Sequence, residues 1–228
     1  MKKVAIFDID GTIFRSSLLI ELVEKMIAKN LFPENIRDNY KDQYHAWLNR
    51  QGAYSDYINA VVEAYNDNIR GVNYADFKEA AHEVIKRMKD RVYCYTRDLV
   101  KELKENDYYL LAISHSPMEI VQDFGQEMGF DKVYGRIYKV GADGKFTGEM
   151  EFVDLISDKA KVLERAVQKE GLTLEGSIGV GDTEGDITML SKVEQPICFN
   201  PNQLLYNEAK KQGWKIVVER KDVIYEIS

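Results

Sequence analysis

The chain has 228 residues, with 31 Lys and Arg against 38 Asp and Glu, so its formal net charge is −7. A hydrophobic share of 45% beside 30% charged residues excludes a mainly disordered chain and favours one large domain, or one domain carrying an insertion. The negative charge argues against non-specific nucleic-acid binding, and no apolar run approaches the ~18 residues of a membrane span. We therefore expect neither nucleic acid nor a membrane as a partner.

The first predicted element is a short strand over residues 4–7. This continuous apolar run is β-branched at two positions and stops at Asp8, which is typical of a strand buried on both faces. Because the run is too short for the apolar region of a signal peptide, we expect no leader sequence.

A helical segment is predicted next, from residue 15 to about residue 93. Its apolar residues recur at spacings of three and four, the period of an amphipathic helix. The predicted helices begin after Ser16 and Ser17, at Pro33, after Ser55 and after Asn73. Aromatic side chains in this segment are predicted either to line a substrate side or to form its core: Tyr40, Tyr44, Trp47, Tyr54, Tyr57 and Tyr65.

Beyond residue 93 the predicted strands alternate with helices. The strands are expected at 108–113, 177–180, 197–199 and 214–218, and the helices at 118–128, 158–170 and 202–212. Asp143 and Gly144 predict a hairpin within residues 139–149. The alternation predicts an α/β fold, a doubly wound parallel sheet covered on both faces. We predict a core of residues 1–14 and 94–228, with residues 15–93 inserted after the first strand as an all-helical domain.

Two pairs of aspartates follow predicted strands. Asp8 and Asp10 come just after the first strand, and Asp182 and Asp186 come just after the strand that ends at Val180. A single aspartate in such a place is usually a helix cap or a turn residue, but the carboxyl ends of parallel strands form one crevice. Two carboxylates about 4 Å apart repel by roughly 4 kcal/mol at an effective dielectric near 20. Oxygen ligands without a neighbouring His or Cys favour Mg²⁺, so we predict a magnesium site.

The order of these motifs resembles that of the haloacid dehalogenase (HAD) superfamily of phosphohydrolases. The run at residues 8–12, Asp-Ile-Asp-Gly-Thr, resembles its first motif, Ser114 its second, Lys159 its third, and Asp182 with Asp186 its fourth. The helical segment between the first two motifs resembles the phosphoserine-phosphatase-like branch, subfamily IB. The resemblance implies a Rossmann-like core beneath a helical cap.

The resemblance also implies roles for individual residues. Asp8 is the implied nucleophile and Asp10 the implied general acid and base. Mg²⁺ is expected on Asp8, on Asp10 through its backbone carbonyl, and on Asp182, with Asp186 as a ligand or close by. The implied phosphate-binding groups are Ser114, the backbone N–H of His115 that follows it, and Lys159.

Some of the residue assignments leave alternatives open. Lys159 fits the family spacing, but Lys161 lies two residues further on, and only one of the two can point inward. Arg15 is expected to meet an anionic group of the substrate. Glu21 either binds an amino group of the substrate, as a cap glutamate does in the amino-acid phosphatases of this branch, or is an exposed polar residue. His115 stands where the phosphoserine enzymes commonly have a small residue, which puts phosphoserine itself in doubt.

The leading functional prediction is a Mg²⁺-dependent phosphatase that hydrolyses a small phosphate monoester through an aspartyl-phosphate intermediate. Two alternatives are a phosphotransferase or mutase that uses the same intermediate, and a phosphate-binding module that has lost catalysis. The intact motif residues argue against the binding module. The expected partner is a small phosphorylated metabolite. The two cysteines, Cys94 and Cys198, suggest neither a metal site nor a disulfide framework, so we predict a reducing, cytoplasmic location.

Overall fold

The fold is built on one eight-stranded sheet, in a computed structural model that describes residues 1–227. The strands are β1 Lys3–Phe7, β2 Tyr109–Pro117, β3 Lys132–Val140, β4 Phe146–Glu151, β5 Thr173–Gly181, β6 Gln195–Phe199, β7 Lys215–Arg220 and β8 Val223–Ile227. Their order across the sheet is β4-β3-β2-β1-β5-β6-β7-β8. The six strands from β3 to β7 in this order pair in parallel, and β4 and β8 close the two edges antiparallel.

Ten α-helices accompany the sheet within the described residues. They are α1 Leu18–Ala28, α2 Lys41–Leu48, α3 Tyr54–Ile69, α4 Tyr74–Met88, α5 Cys94–Glu105, α6 Met118–Met128, α7 Val153–Ile156, α8 Lys159–Glu170, α9 Ile187–Leu190 and α10 Gln203–Gln212. Short 3-10 helices cover Glu34–Asn39 and Glu184–Asp186. Within residues 1–227 no helix has the length and apolar character that a membrane span requires.

Strand β1 lies at the centre and is buried on both faces. Val4 and Ile6 belong to one buried cluster, whereas Ala5 and Phe7 belong to the other. This alternation follows from the two-residue period of a strand, and it explains why the sequence reads as a continuous apolar run. The predicted fold class, an α/β fold with a doubly wound, mostly parallel sheet, is confirmed.

Helices α1 to α4 fill the predicted insertion and share their core with one face of the sheet. The cluster that contains Phe7 continues through Leu22 of α1, Tyr65 of α3 and Phe77 of α4. The β3–β4 hairpin also packs here, since the Phe146 ring lies 4.9 Å from the Phe77 ring, centroid to centroid. The helical segment is therefore held from two sides. Its limits as a separate domain, residues 15–93, stay a prediction.

Several elements differ from the prediction. The helix expected to begin at Pro33 is a 3-10 helix that ends at Asn39, and α2 begins only at Lys41 because Tyr40 between them is not helical, with φ −132°. Helix α5 was not predicted, since only three of its twelve residues are buried. Strand β8 was also missed, because every one of its residues is exposed and no alternation marks it.

Candidate active site

Neighbouring strands bring the two aspartate pairs to one edge of the sheet. Phe7, the last residue of β1, pairs with Val180 of β5, and the backbone N–H of Asp8 donates to the Val180 carbonyl at 2.9 Å. Asp8 and Asp182 thus leave adjacent parallel strands at the same level. As expected for an open α/β sheet, a crevice forms at these strand ends.

Three carboxylates gather around one buried lysine. Oxygens of Asp8, Asp182 and Asp186 all lie within 4.8 Å of one another. The Lys159 ammonium, from the first residue of α8, donates to Asp8 at 2.6 Å and to Asp186 at 2.5 Å. Lys161 instead extends over the surface, with its ammonium 3.5 Å from the Asp154 carbonyl. Of these two lysines, Lys159 is therefore the one that faces the site.

The second Asp186 oxygen fixes the loop after β5. It accepts hydrogen bonds from the backbone N–H groups of Asp182 at 3.0 Å and Thr183 at 3.1 Å. Gly11, with φ +82°, allows the β1 loop to approach this region, because a Cβ at that position would lie 2.1 Å from an Asp182 oxygen. The hydroxyl of Thr12 donates to the other Asp182 oxygen at 3.3 Å. Both loops are thus shaped around the carboxylate cluster.

Burial and crowding shift the ionisation of this cluster. Burial raises the pKa of Asp8 to about 7. The nearby Lys159 charge opposes this shift, and the Asp186 and Asp10 carboxylates add to it. Burial and its carboxylate neighbours likewise hold the pKa of Asp182 well above its usual range. Burial would lower the pKa of Lys159, but Asp186 and Asp8 outweigh it and raise that pKa instead.

One oxygen of the cluster lacks a partner. Asp8 Oδ2 is buried and accepts no hydrogen bond, whereas Asp8 Oδ1 faces Lys159. A buried carboxylate oxygen without a partner is costly, so a group that fills this place would stabilise it. The three carboxylates and one ammonium leave a formal charge of −2. An oxygen-only donor set with this charge fits a hard divalent cation.

Asp10 lies in a separate hydrogen-bond network beside the cluster. Its Oδ2 accepts from the hydroxyls of Ser114 at 2.6 Å and Ser116 at 2.9 Å, while its Oδ1 accepts from the backbone N–H of Leu18 at 2.5 Å. The backbone N–H of Ser116 in turn donates to Ser114 Oγ at 2.9 Å. The Ser114 hydroxyl therefore positions Asp10 in this structure. Ser116 was missed, although a strand's two-residue period places it on the face of Ser114.

The ring of His115 is neutral. Burial, followed by the nearby Lys159 charge, lowers the pKa of His115 to about 4. Its Nε2 lies 3.0 Å from the carbonyl oxygen of Ile156, and since a carbonyl only accepts, this nitrogen carries the proton. His115 therefore adds no positive charge to the site, and its predicted contact with phosphate through the backbone N–H stays a prediction.

A cavity of about 290 Å³ opens above Asp8 and Asp10. One wall comes from the sheet side and contains His115, Ser116, Lys159, Asp182, Thr183, Glu184 and Asn202. A second wall comes from the start of α1 and from α3, and contains Ser17, Leu19, Tyr54, Ser55, Ile58, Asn59 and Val62. Of this second wall, sequence patterns indicated only Tyr54, as a member of the aromatic set predicted to line a substrate side or to form the core. The other residues carry no motif, and only the packing of α1 and α3 brings them here.

Arg15 and Glu21 lie in a neighbouring cavity of about 670 Å³, which shares Tyr54 and Asp182 with the first. The Arg15 guanidinium lies over the ring of Tyr93, 5.5 Å from its centroid. Glu21 is already engaged, since it accepts from Arg91 at 2.9 Å and from Ser16 at 3.0 Å. Their predicted contacts with substrate stay predictions.

The predicted aromatic set divides between the two interpretations. Tyr65 is fully buried and belongs to the core. The other members all line the larger cavity: Tyr40, Tyr44, Trp47, Tyr54 and Tyr57. Trp47 stacks on Tyr57 with 5.8 Å between ring centroids, so most of this set is both core and cavity wall.

Comparison with known proteins agrees with this geometry. A family model described as haloacid dehalogenase-like hydrolase matches residues 5–191. The chain belongs to this family. It is 27% identical over 218 residues to the "Inhibition of morphological differentiation protein" of Streptomyces azureus, covering 95% of this chain and 78% of the relative. It is 24% identical over 226 residues to the phosphoserine phosphatase of Methanocaldococcus jannaschii, covering 97% of this chain and 94% of the relative.

Solved structures show the same fold. A substrate-bound phosphoserine phosphatase complex superposes with a TM-score of 0.64 at 21% identity, covering 97% of this chain and 95% of that one. This solved structure shows the fold, whereas the family model and the curated relatives confirm the predicted family, its phosphoserine-phosphatase-like branch and the assignment as a phosphatase. The substrate named for a relative belongs to that relative.

Proposed function

We propose that this chain is a Mg²⁺-dependent phosphatase that hydrolyses a small phosphate monoester through an aspartyl-phosphate on Asp8. The observation that carries this proposal is Asp8 itself, a buried carboxylate at a strand end with one oxygen unpartnered, inside a crevice that also holds Lys159 and Asp10. A small phosphorylated metabolite is the proposed partner.

The metal would be held by the carboxylates of Asp8 and Asp182 and by the backbone carbonyl of Asp10, with Asp186 as a further ligand or close by. The orphaned Asp8 oxygen, the oxygen-only donor set and the formal charge of −2 support this assignment. When bound, Mg²⁺ would offset the negative charge of the phosphate and of the carboxylates that surround it.

The nucleophile and the acid act in two successive displacements. A carboxylate oxygen of Asp8 attacks phosphorus, so a bond from Asp8 to phosphorus forms and the bond from phosphorus to the alcohol oxygen breaks. Asp10, in its protonated form, gives its proton to that leaving oxygen. Water then attacks the phosphoryl group, Asp10 takes the proton of the water, and the bond to Asp8 breaks to release phosphate.

The surrounding residues position these groups. Ser114 and Ser116 both donate to one Asp10 oxygen, which fixes that carboxyl at the cavity that Asp10 lines. Lys159 supplies a fixed positive charge next to Asp8, where the oxygens of a transferring phosphoryl group would lie. Because these groups are already in place, little reorganisation is needed during the reaction.

The test is turnover of a generic aryl phosphate by Asp8→Asn. We expect activity to fall by at least about a thousandfold, since a covalent step loses its nucleophile, while circular dichroism stays that of the wild type. Asp76→Asn, on the exposed face of α4, is the matched control and should keep full activity. EDTA should abolish turnover by the wild type and Mg²⁺ should restore it. Full activity of Asp8→Asn, or turnover in EDTA, would contradict the proposal.

A further inference from the structure

The wall that the start of α1 and helix α3 supply to the active-site cavity has no carboxylate, ammonium or guanidinium group within the described residues. From α3 it presents Tyr54, Ser55, Ile58, Asn59 and Val62. Ser17 and Leu19 complete it beside α1, and both are buried. Three aliphatic side chains thus stand beside hydroxyl and amide groups, a surface that suits an uncharged molecule.

The one ammonium or guanidinium group that lines this cavity within the described residues, that of Lys159, is already paired. Lys159 donates to Asp8 and Asp186, and the side-chain amide of Asn202 donates to Glu184. A substrate carboxylate placed against the α3 wall would find no cation there, so it would lose its water without gaining a counter-charge. Protein mutational data place the cost of burying an unpaired polar group at about 1–3 kcal/mol, and a charge costs more.

We propose that the leaving group is a small uncharged alcohol, which excludes phosphorylated amino acids and hydroxy acids as preferred substrates. The predicted contact of Arg15 with an anionic group of the substrate is not part of this proposal, because Arg15 lies in the neighbouring cavity over the ring of Tyr93. The inference rests on the proposed phosphatase function and names its substrate class. The phosphate lies against Asp8 and Lys159, and the alcohol carbons lie against Leu19, Ile58 and Val62. The cavity volume of about 290 Å³ is at the lower end of ligand pockets, which limits the alcohol to a few carbon atoms.

The test compares substrates that differ in one group, with the Mg²⁺-loaded full chain. Glycerol 3-phosphate and 3-phosphoglycerate differ by a hydroxymethyl group in place of a carboxylate, and phosphoserine carries both a carboxylate and an ammonium group. We expect kcat/KM for glycerol phosphate to exceed both others by roughly five- to 150-fold, as 1–3 kcal/mol implies. Equal or faster hydrolysis of either charged ester would overturn the inference.

A variant of the α3 wall tests whether the wall contacts the leaving group. Asn59 is exposed at the rim of the cavity, so Asn59→Arg adds a cation without disturbing the core. It should raise the ratio of kcat/KM for 3-phosphoglycerate to that for glycerol phosphate at least fivefold. Asn59→Met introduces a side chain that is uncharged, as asparagine is, and should leave the ratio unchanged. An unchanged ratio in Asn59→Arg would contradict the placement of the alcohol.

The two proposals fail in different ways. If a generic aryl phosphate is not hydrolysed by the wild type with Mg²⁺, the phosphatase proposal fails and the inference fails with it. If the aryl phosphate is hydrolysed but phosphoserine or 3-phosphoglycerate is preferred over glycerol phosphate, only the inference on the leaving group is refuted.

Discussion

Removal of the Lys159 charge tests whether this lysine balances the carboxylate cluster. The side chains of Lys159, Asp8 and Asp186 are only 4%, 7% and 0% exposed, and both carboxylates accept from the same ammonium. Lys159→Met keeps a long unbranched side chain but deletes the positive charge. Two buried carboxylates are then left facing each other without a counter-charge.

The magnitude follows from the burial. Loss of one partner of a buried ion pair destabilises a protein by about 3–5 kcal/mol, because the remaining charge is uncompensated. For a chain of this length each kcal/mol lowers the melting temperature by about 2–4 °C, so we expect Lys159→Met to melt roughly 6–20 °C below the wild type. The deficit should shrink when Mg²⁺ is added, since a bound cation replaces part of the lost charge.

The assay is thermal unfolding in EDTA and again in excess Mg²⁺. Lys161→Met is the matched control, because Lys161 lies two residues along the same helix but is exposed, with its ammonium 3.5 Å from a single carbonyl oxygen. It should melt within about 2 °C of the wild type, as expected of a surface substitution. Equal melting temperatures of the two variants in EDTA would refute the proposed charge balance.

Two further predictions concern stability away from the site. Hydrogen bonds from Lys29 and Lys25 lower the pKa of Glu83 to about 2 from its ordinary 4.5. The stabilisation that ionised Glu83 gives the folded protein is therefore complete above pH 4.5 and is lost as the pH falls towards 2. Glu83→Gln should melt below the wild type at neutral pH, and this difference in melting temperature should vanish between pH 4.5 and pH 2. A difference that persists at pH 2 contradicts the prediction. Phe146→Ala should cost about 3–5 kcal/mol in urea unfolding, because it empties a buried aromatic cluster. Phe152→Ala, 64% exposed, should have little effect, and equal losses would argue against the cluster.

The sequence was most informative where one physical signal dominated. The limits of α6 match the predicted 118–128, because a clear apolar period ends at Gly129, whose φ of +78° terminates the helix. Strand β1 was equally clear, since both of its faces are buried. Strand β3 pairs with β2 on one side and β4 on the other, and its mixed burial pattern gave no periodic signal to predict it.

In the candidate site, too, some residues could be predicted from sequence and others could not. Asp8 and Asp182 could be placed together from sequence, because each follows a buried strand and parallel strand ends converge. Ser116 was missed because its bond to Asp10 depends on the last residues of β2, where the register with β3 shifts between Ile113 and Pro117. The pairing of Glu21 with Arg91 joins residues 70 positions apart, and no local pattern carries such a contact.

The residues that carry the chemistry and those that contact the leaving group depend on different parts of the fold. The aspartates and serines proposed for chemistry stand at strand ends and in the turns beside them, so the central sheet fixes them locally. The wall that faces them comes from α3, whose position is set by distant packing such as the contact of Tyr65 with Tyr138, whose ring centroids lie 5.2 Å apart. Changes on the exposed rim of α3 could therefore alter the leaving group while the aspartates stay in place. Within one family, the reaction is then readable from motifs, whereas the substrate has to be read from the packing of the helical segment.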